Sequence, residues 1–426
     1  MKSITLATCL LYSFVFANAA AIPKAPGASE THNYLIQLNP KTDIESFVPN
    51  LLEGVLGLFD GKISAQENPV SVQKKIDINE SFKAISVKIK QDSLLAKILP
   101  LFPEIATIIP DDPIKFNLPK PQAAAKGHSF TKFDNSTAPG SQPDAPWGIV
   151  RVSQHDLDLK APYNYPEHAG EGVVVYVIDD GVNKGHKDFG GRVTWGYSTI
   201  KDGDDNGGGH GTHVSGIIAG ETYGVAKKAN IISVRVLDKE GSGTMADVLD
   251  GLQWAVKDAK ASGKKSLVNM SLGVAKSPDL DSFDQALTAA VEGGLPIVVA
   301  AGNSADDACN YLPAGNPSVF TVGSTDNQDA LSEFSSHGKC VDINAPGTDI
   351  ESDYIGDDTA TTVMSGTSMA SPHACGVAAL ILHDLTDASP TALYEKLTSI
   401  ATKDKITNNP SANPNLIAFN GAGEQK

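Results

Sequence analysis

Zinc-type cysteine spacing, clusters of basic residues and membrane-length apolar runs are all missing from this 426-residue sequence. Four cysteines occur and no two are spaced Cys-x-x-Cys, which argues against a structural zinc site. Acidic residues outnumber basic ones, 50 to 34, for a formal net charge of −16. Holding nucleic acid needs Lys and Arg to displace phosphate counterions, so that class of function is set aside. Aromatic residues make up only 6%, yet 41% of the chain is hydrophobic. That is enough for a large core and too much for a wholly disordered chain. Beyond the first twenty residues no apolar run reaches the roughly 20 residues that a bilayer demands, and the polar stretch after Asn420 carries no lipid-anchor signal. No internal repeat is evident, and the length allows two or three domains.

The chain opens with Lys2, a mostly apolar run from Ile4 to Phe16, and Ala17-Asn18-Ala19-Ala20-Ala21. A charged start, a short apolar core and an Ala-x-Ala exit read as a cleaved secretory signal over residues 1–20. The rest is then expected in the secretory pathway, a vacuole or outside the cell. Cys9 leaves with the signal. Cys309 and Cys340 lie in Gly/Asn/Asp-rich loops, where an oxidising compartment favours a bridge. Such a closure stabilises by about 3 kcal/mol in the chain-entropy model. Cys375, in an Ala/Gly-rich helical stretch, reads as a small buried hydrophobe.

Residues 21–117 read as a small α+β unit. His32 to Leu38 and Ala84 to Lys90 alternate like strands, Ile105 to Ile109 is a short third strand, and helical patterns fall between and after them, notably Asp92 to Leu101. Residues 118–145 are proline-rich with no apolar period, an exposed and cleavable linker. From 146 to 426 strand and helix patterns alternate. Val173–Ile178, Ile231–Leu237, Ser266–Ser271, Pro296–Ala301 and Val319–Gly323 are continuous apolar runs, as parallel strands covered on both faces require. Thr244 to Ala261 carries one apolar stripe and stops at Gly263. This predicts an α/β domain with a mostly parallel sheet and a site beyond its carboxyl edge.

Three islands place reactive side chains at element boundaries. A buried strand delivers Asp179-Asp180-Gly181. A loop, Gly207-Gly208-Gly209-His210-Gly211-Thr212-His213, enters a helix of small residues. Ser365-Gly366-Thr367-Ser368-Met369-Ala370-Ser371-Pro372-His373 runs into an apolar helix, with the Ser368 N–H pointing where an anion could form. Each has a bland alternative: a loop-bonding Asp, a structural His, an N-cap Ser. His213 and His373 are left in structural roles. The glycines lack phosphate-loop spacing, and His210-x-x-His213 lacks the Glu of the zinc motif.

Taken together, and with Asn269-Met270-Ser271-Leu272-Gly273 and Ala300-Ala301-Gly302-Asn303, the islands resemble the subtilisin-like serine proteases, most closely the fungal proteinase K and cerevisin branch. The resemblance covers about residues 145–420 and rests on five motifs in the family's order; the Asp…His…Ser order is that family's own. It implies a three-layer subtilisin-like domain preceded by a ferredoxin-like propeptide that aids folding and inhibits. It implies Ser368 as nucleophile, His210 as general base, Asp179 orienting the imidazole and Asn303 donating to the oxyanion. Gly241-Ser242-Gly243 and Ser271-Leu272-Gly273 would sandwich the substrate as an added strand, and Ala300, Ala301 and Gly302 would line an uncharged S1 pocket favouring apolar or aromatic residues. The implied protein is a secreted or vacuolar serine endopeptidase of broad specificity, made as an autoinhibited zymogen, monomeric, binding neither nucleic acid nor membrane and needing no catalytic cofactor. Its rivals are a catalytically silent binding protein of the same fold and a metal hydrolase built on His210 and His213.

Three departures from the branch stand out. Asp180 replaces a usual Thr or Ser; by likeness to kexin and furin it is expected either to make an acidic S2 rim that modestly favours Lys or Arg at P2 or to be a solvated carboxylate. Val214 replaces a free cysteine. One structural calcium site maps onto the Pro317 and Val319 carbonyls with Asp342, whereas a second is lost at Lys405. Sequons begin at Asn79, Asn135 and Asn269; the last is expected to stay bare, and the other two would leave with the propeptide if cleavage falls after Asn135.

Overall fold

The computed structural model describes residues 31–422 apart from 60, 61, 63, 91–93, 99, 100 and 123–139. The expected signal and the Asn135 sequon lie outside the described residues. The first unit is an antiparallel sheet of β1 (His32–Leu38), β2 (Val70–Ile78), β3 (Phe82–Ile89) and β4 (Ile105–Pro110) in the order β2-β3-β1-β4. Alternation along β1 sends Tyr34, Ile36 and Leu38 into a core with Phe47, Leu51 and Val55 of α1 (Ile44–Gly57). Leu35 on the opposite face joins Ile76, Ile78 and Phe82 in a core shared with the larger domain. β2 stands where the sequence pattern between the strands reads as helical. Its middle, Gln73-Lys74-Lys75, carries a register shift and no apolar side chain, which hides the alternation.

The larger domain is built on nine strands: β5 (Val174–Asp179), β6 (Val193–Ser198), β7 (Asn230–Arg235), β8 (Ser266–Met270), β9 (Ile297–Ala300), β10 (Phe320–Thr325), β11 (Ile343–Pro346), β12 (Thr402–Lys403) and β13 (Leu416–Ile417). Their order is β12-β13-β11-β10-β9-β8-β5-β7-β6, with every pairing parallel except β12–β13. Strands buried on both faces explain the unbroken apolar runs. Val175, Val177 and Leu267 meet α2 (His210–Ala219) and the long α5 (Thr367–Asp384) on one face. Tyr176, Ile178 and Val268 meet α3 (Met245–Ser262) and α4 (Asp281–Glu292) on the other. The result is a three-layer α/β domain. Thr244 and Asp247 form a capping box at the start of α3, and Gly263, at φ +62°, ends it.

β2 and β3 of the small sheet lie across α3 and α4. The polar middle of β2 is satisfied there. Lys74 pairs with Asp247, and the Asp77 N–H donates to Gln253 Oε1 at 2.6 Å. Asp111 accepts from the Ala246 N–H in the first turn of α3 at 2.9 Å. Of residues 118–145, the described ones engage the larger domain: Gln142 is buried and its strand pairs with Tyr163–Asn164.

Candidate active site

β5 has no exposed residue and ends on Asp179, so it carries that carboxylate to the sheet's carboxyl edge while keeping it 1% exposed. Its Oδ1 accepts from the Asp180 N–H at 2.8 Å and from His210 Nδ1 at 2.8 Å. An ionised carboxylate only accepts, so His210 carries its proton on Nδ1 and its lone pair on Nε2. That Nε2 is buried and has no hydrogen-bond partner among the described residues. Burial works against a charged imidazole, but the charge and hydrogen bond of Asp179, helped by the charge of Asp180, outweigh it and hold His210 above its ordinary pKa.

Ser368 is the second residue of α5, where backbone N–H groups have no intrahelical acceptor. Its Oγ donates to the Ser271 carbonyl at 3.1 Å, and Ser271 Oγ donates back to the Ser368 carbonyl at 3.0 Å. α2 and α5 pack together, but the Ser368–His210 hydrogen bond is not formed in this state. Asn303 sits on an exposed loop after β9. Its Oδ1 accepts from the Thr367 N–H at 2.8 Å and the Thr367 hydroxyl at 2.9 Å, and the same hydroxyl accepts from the Gly302 N–H. This fixes the Asn303 carbonyl on the helix start and leaves its NH2 as the group to donate elsewhere.

The cleft is filled by the chain itself. Ile114–Lys115 pair antiparallel with Ser242–Gly243, and the Phe116 N–H donates to the Gly241 carbonyl at 3.0 Å. Leu118 packs over Gly241, whose φ is +76°. Pro119 lies over Gly366 beside Asn303, and Gln122 bonds to the Val363 carbonyl and to Ser365 Oγ. The path therefore runs from the Gly241-Ser242-Gly243 segment to the loop before Ser368. Leu272 and Ala301 are fully buried, Ala300 nearly so, and Gly302 holds φ +111°. An added Cβ on Gly273 would meet only the Leu312 carbonyl, 3.7 Å away.

Other expected residues fall elsewhere. His213 Nε2 bonds to the Ile350 and Thr362 carbonyls, and burial, together with the charge of His210, pushes it down to about 3, so it is a neutral structural side chain. His373 bonds to the Met369 carbonyl one turn back along α5. Cys309 and Cys340 are bridged, and Cys375 is buried. Asn269 is wholly buried and donates to Ser271 Oγ, which bars a glycan. Asn79 donates to the Ala289 carbonyl under the small sheet. Asp342 accepts from the Thr321 N–H at 2.7 Å, and burial raises its carboxyl to about 6. Among the described residues no charged partner offsets that burial. Lys405 pairs instead with Asp156 at 2.9 Å.

Asp180 requires a correction. It is 1% exposed and its carboxylate accepts three backbone N–H groups, from Gly208, His210 and Gly211. It turns toward the start of α2 instead of lying solvated, and among the described residues no hydrogen bond links it to the segment seated in the cleft. The glycines facing it are required by this approach: a Cβ on Gly208 would come within 2.8 Å of Asp180 Oδ2, and one on Gly207 would overlap the Asp180 carbonyl. A run of bare backbone was needed to bring so many N–H groups around one acceptor. Thr367, which fixes Asn303, was not singled out either.

A family model described as the subtilase family matches residues 170–421. Subtilisin-like protease 8 of Trichophyton verrucosum is 47% identical over 304 residues, 66% of this chain and 61% of that protein. Alkaline protease 2 of Aspergillus fumigatus is 45% identical over 309 residues, 67% and 62% respectively. The chain thus spans about three fifths of the length of these relatives. Among solved structures, a cold-adapted subtilisin-like serine proteinase is 44% identical with a TM-score of 0.61, covering 65% of this chain and 98% of that one.

Proposed function

The chain belongs to the subtilase family, and from that premise we propose that it is a serine endopeptidase with Asp179, His210 and Ser368 as its catalytic residues. The observation that carries this reading is the Asp179–His210 hydrogen bond, which leaves a lone pair on a buried Nε2 with no partner among the described residues, on a helix packed against the one that carries Ser368. In the first step Ser368 Oγ turns from the Ser271 carbonyl to His210 Nε2, gives up its proton and attacks the scissile carbonyl. The new oxyanion takes hydrogen bonds from Asn303 Nδ2 and the Ser368 N–H. The imidazolium, held by Asp179, returns the proton to the leaving amine, and water completes hydrolysis of the acyl-enzyme by the reverse sequence.

Residues 21–117 act as the propeptide. The pairing of Ile114–Lys115 with Ser242–Gly243 is the added-strand contact that a substrate would make, so recognition is largely main-chain and sequence-tolerant. Small, uncharged Ala300, Ala301 and Gly302 favour apolar or aromatic residues at P1. Self-cleavage falls within the linker of residues 118–145. The mature enzyme is secreted or vacuolar and monomeric, and Pro317, Val319 and Asp342 hold a structural calcium. No helix among the described residues is long and apolar enough to cross a membrane.

The deciding experiment treats purified, processed protein with a serine-directed phosphonyl fluoride or with a chelator and assays casein cleavage. Loss with the first alone supports this reading. Immediate loss with chelator alone would point to metal hydrolysis, and a processed but inert protein to a silent binding fold. N-terminal sequencing of the mature form checks the cleavage bond.

A further inference from the structure

Asp180 has no part in the steps above, yet through its backbone N–H and its carboxylate it touches both members of the Asp179–His210 pair. Its own N–H donates to Asp179 Oδ1, the oxygen that also takes the His210 proton. Its side chain accepts from the N–H of His210 itself at 3.2 Å, and from Gly208 at 3.0 Å and Gly211 at 2.8 Å. α2 begins behind Gly209, at φ +98°, with no side-chain cap of its own. The open N–H groups of its first turn thus find an anion supplied by the neighbouring strand, where the helix dipole favours one.

The groups facing Asp180 come from every element around it. Asp179 precedes it on β5 and His210 faces it from α2. Arg235 of β7 donates Nε–H to its carbonyl at 2.7 Å while pairing with Asp202. Tyr354, after the strand Ile350–Asp353, reaches the Gly208 carbonyl. Burial and the charge of Asp179 push the Asp180 carboxyl up to about 7, against the His210 charge and the N–H donors. Both oxygens receive only N–H donors, an arrangement that the ionised form satisfies best.

We propose that Asp180 is a positioning residue for the reaction: its carboxylate fixes the backbone that carries His210 and supplies a second negative charge that supports the imidazolium. This rests on the serine endopeptidase reading. Asp180→Asn removes the charge and turns an NH2 toward N–H donors. In the processed enzyme it should lower kcat roughly 10–100-fold with KM within about threefold, and should move the acidic limb of kcat/KM down by about 0.5–1 pH unit. Asp180→Thr keeps an acceptor without the charge; it should recover part of kcat while leaving the limb shifted, and it serves if the amide variant does not fold. Asp180→Glu keeps the charge and should hold the limb in place. Rates are expressed per serine labelled by phosphonyl fluoride. A limb unmoved in either folded neutral variant, with wild type active and labelled, overturns the role of Asp180 alone. A wild type that is inactive and unlabelled overturns the endopeptidase reading and this role with it.

Discussion

Two helices in this fold begin at a reactive side chain, and both borrow their first acceptor from the end of a strand. α2, starting at His210, takes its acceptor from Asp180 after β5; α5, with Ser368 second, takes its acceptor from Asn303 after β9. Neither helix has a side-chain cap in its own sequence, because Gly209 and Gly366 stand at those positions. The two acceptors differ in charge. Asp180 is a buried carboxylate, and Asn303 is a neutral amide on an exposed loop. The proposed mechanism puts a cation on His210 and an anion beside Ser368. Each helix start is thus held by the acceptor whose charge suits what forms there. The two are equivalent as caps and are not interchangeable as electrostatics.

The largest effect should come from making the two starts alike. Asn303→Asp keeps an acceptor for the Thr367 N–H but places a negative charge where the oxyanion forms. Asn303→Leu only removes the donor, a loss worth about 2.7–4 kcal/mol in subtilisin itself. Turnover of a peptide anilide should fall by about 10²–10³ in the leucine variant and further in the aspartate variant, with KM little changed. An aspartate variant faster than the leucine variant breaks the comparison.

The two starts were unequally legible in the sequence. Asp179 and Asn303 announce themselves because each sits in a motif at the end of an apolar run, and His210 and Ser368 because each opens a helix in one; a strand buried on both faces leaves little doubt where it ends. Asp180 was read as a cleft residue because adjacency to Asp179 says nothing of which way a side chain turns. That is decided by Gly181, at φ +121°, and by the approach of Gly207 to Gly211 from 26 or more residues away. β2 was hidden for a related reason. Its polar middle is answered by Asp247 and Gln253 on another domain, and no local window shows that. The parallel sheet could be read strand by strand because its burial is local in the sequence. Contacts made between units could not.

The cationic side of the comparison predicts a pH profile. With Asp179 and Asp180 both raising the basicity of His210, the imidazole stays protonated to a pH above its ordinary 6.5. A protonated His210 cannot accept the Ser368 proton, so kcat/KM should fall tenfold per unit below that pKa and level off above it. The limb should be centred above pH 6.5 on an uncharged peptide substrate. A midpoint below 6.5 means burial dominates and the paired negative charges do not.

Next in size is Thr367→Val. It strips Asn303 Oδ1 of one of its two donors and leaves the Gly302 N–H without its acceptor. A net loss of about 1–1.5 kcal/mol, typical of one hydrogen bond, lowers kcat about fivefold to tenfold. Thr367→Ser should restore it. The acidic limb should not move in either variant, since neither touches the His210 helix; a shifted limb would show that the two starts are coupled.

The smallest effect concerns how each acceptor is anchored. Asp180 is fixed by a buried strand. Asn303 depends on a loop laced to residues 334–338 through the Ser336–Gly302, Ala305–Phe334 and Ala308–His337 backbone hydrogen bonds. The Cys309–Cys340 bridge joins the same two segments covalently. Replacing both cysteines with alanine should lower stability by about 3 kcal/mol in denaturant titration. Because the hydrogen bonds remain, kcat should drop only about threefold, with the acidic limb fixed. Full activity in the bridgeless protein would mean that the lacing alone positions Asn303. A loss as large as that of Asn303→Leu would mean that the bridge does.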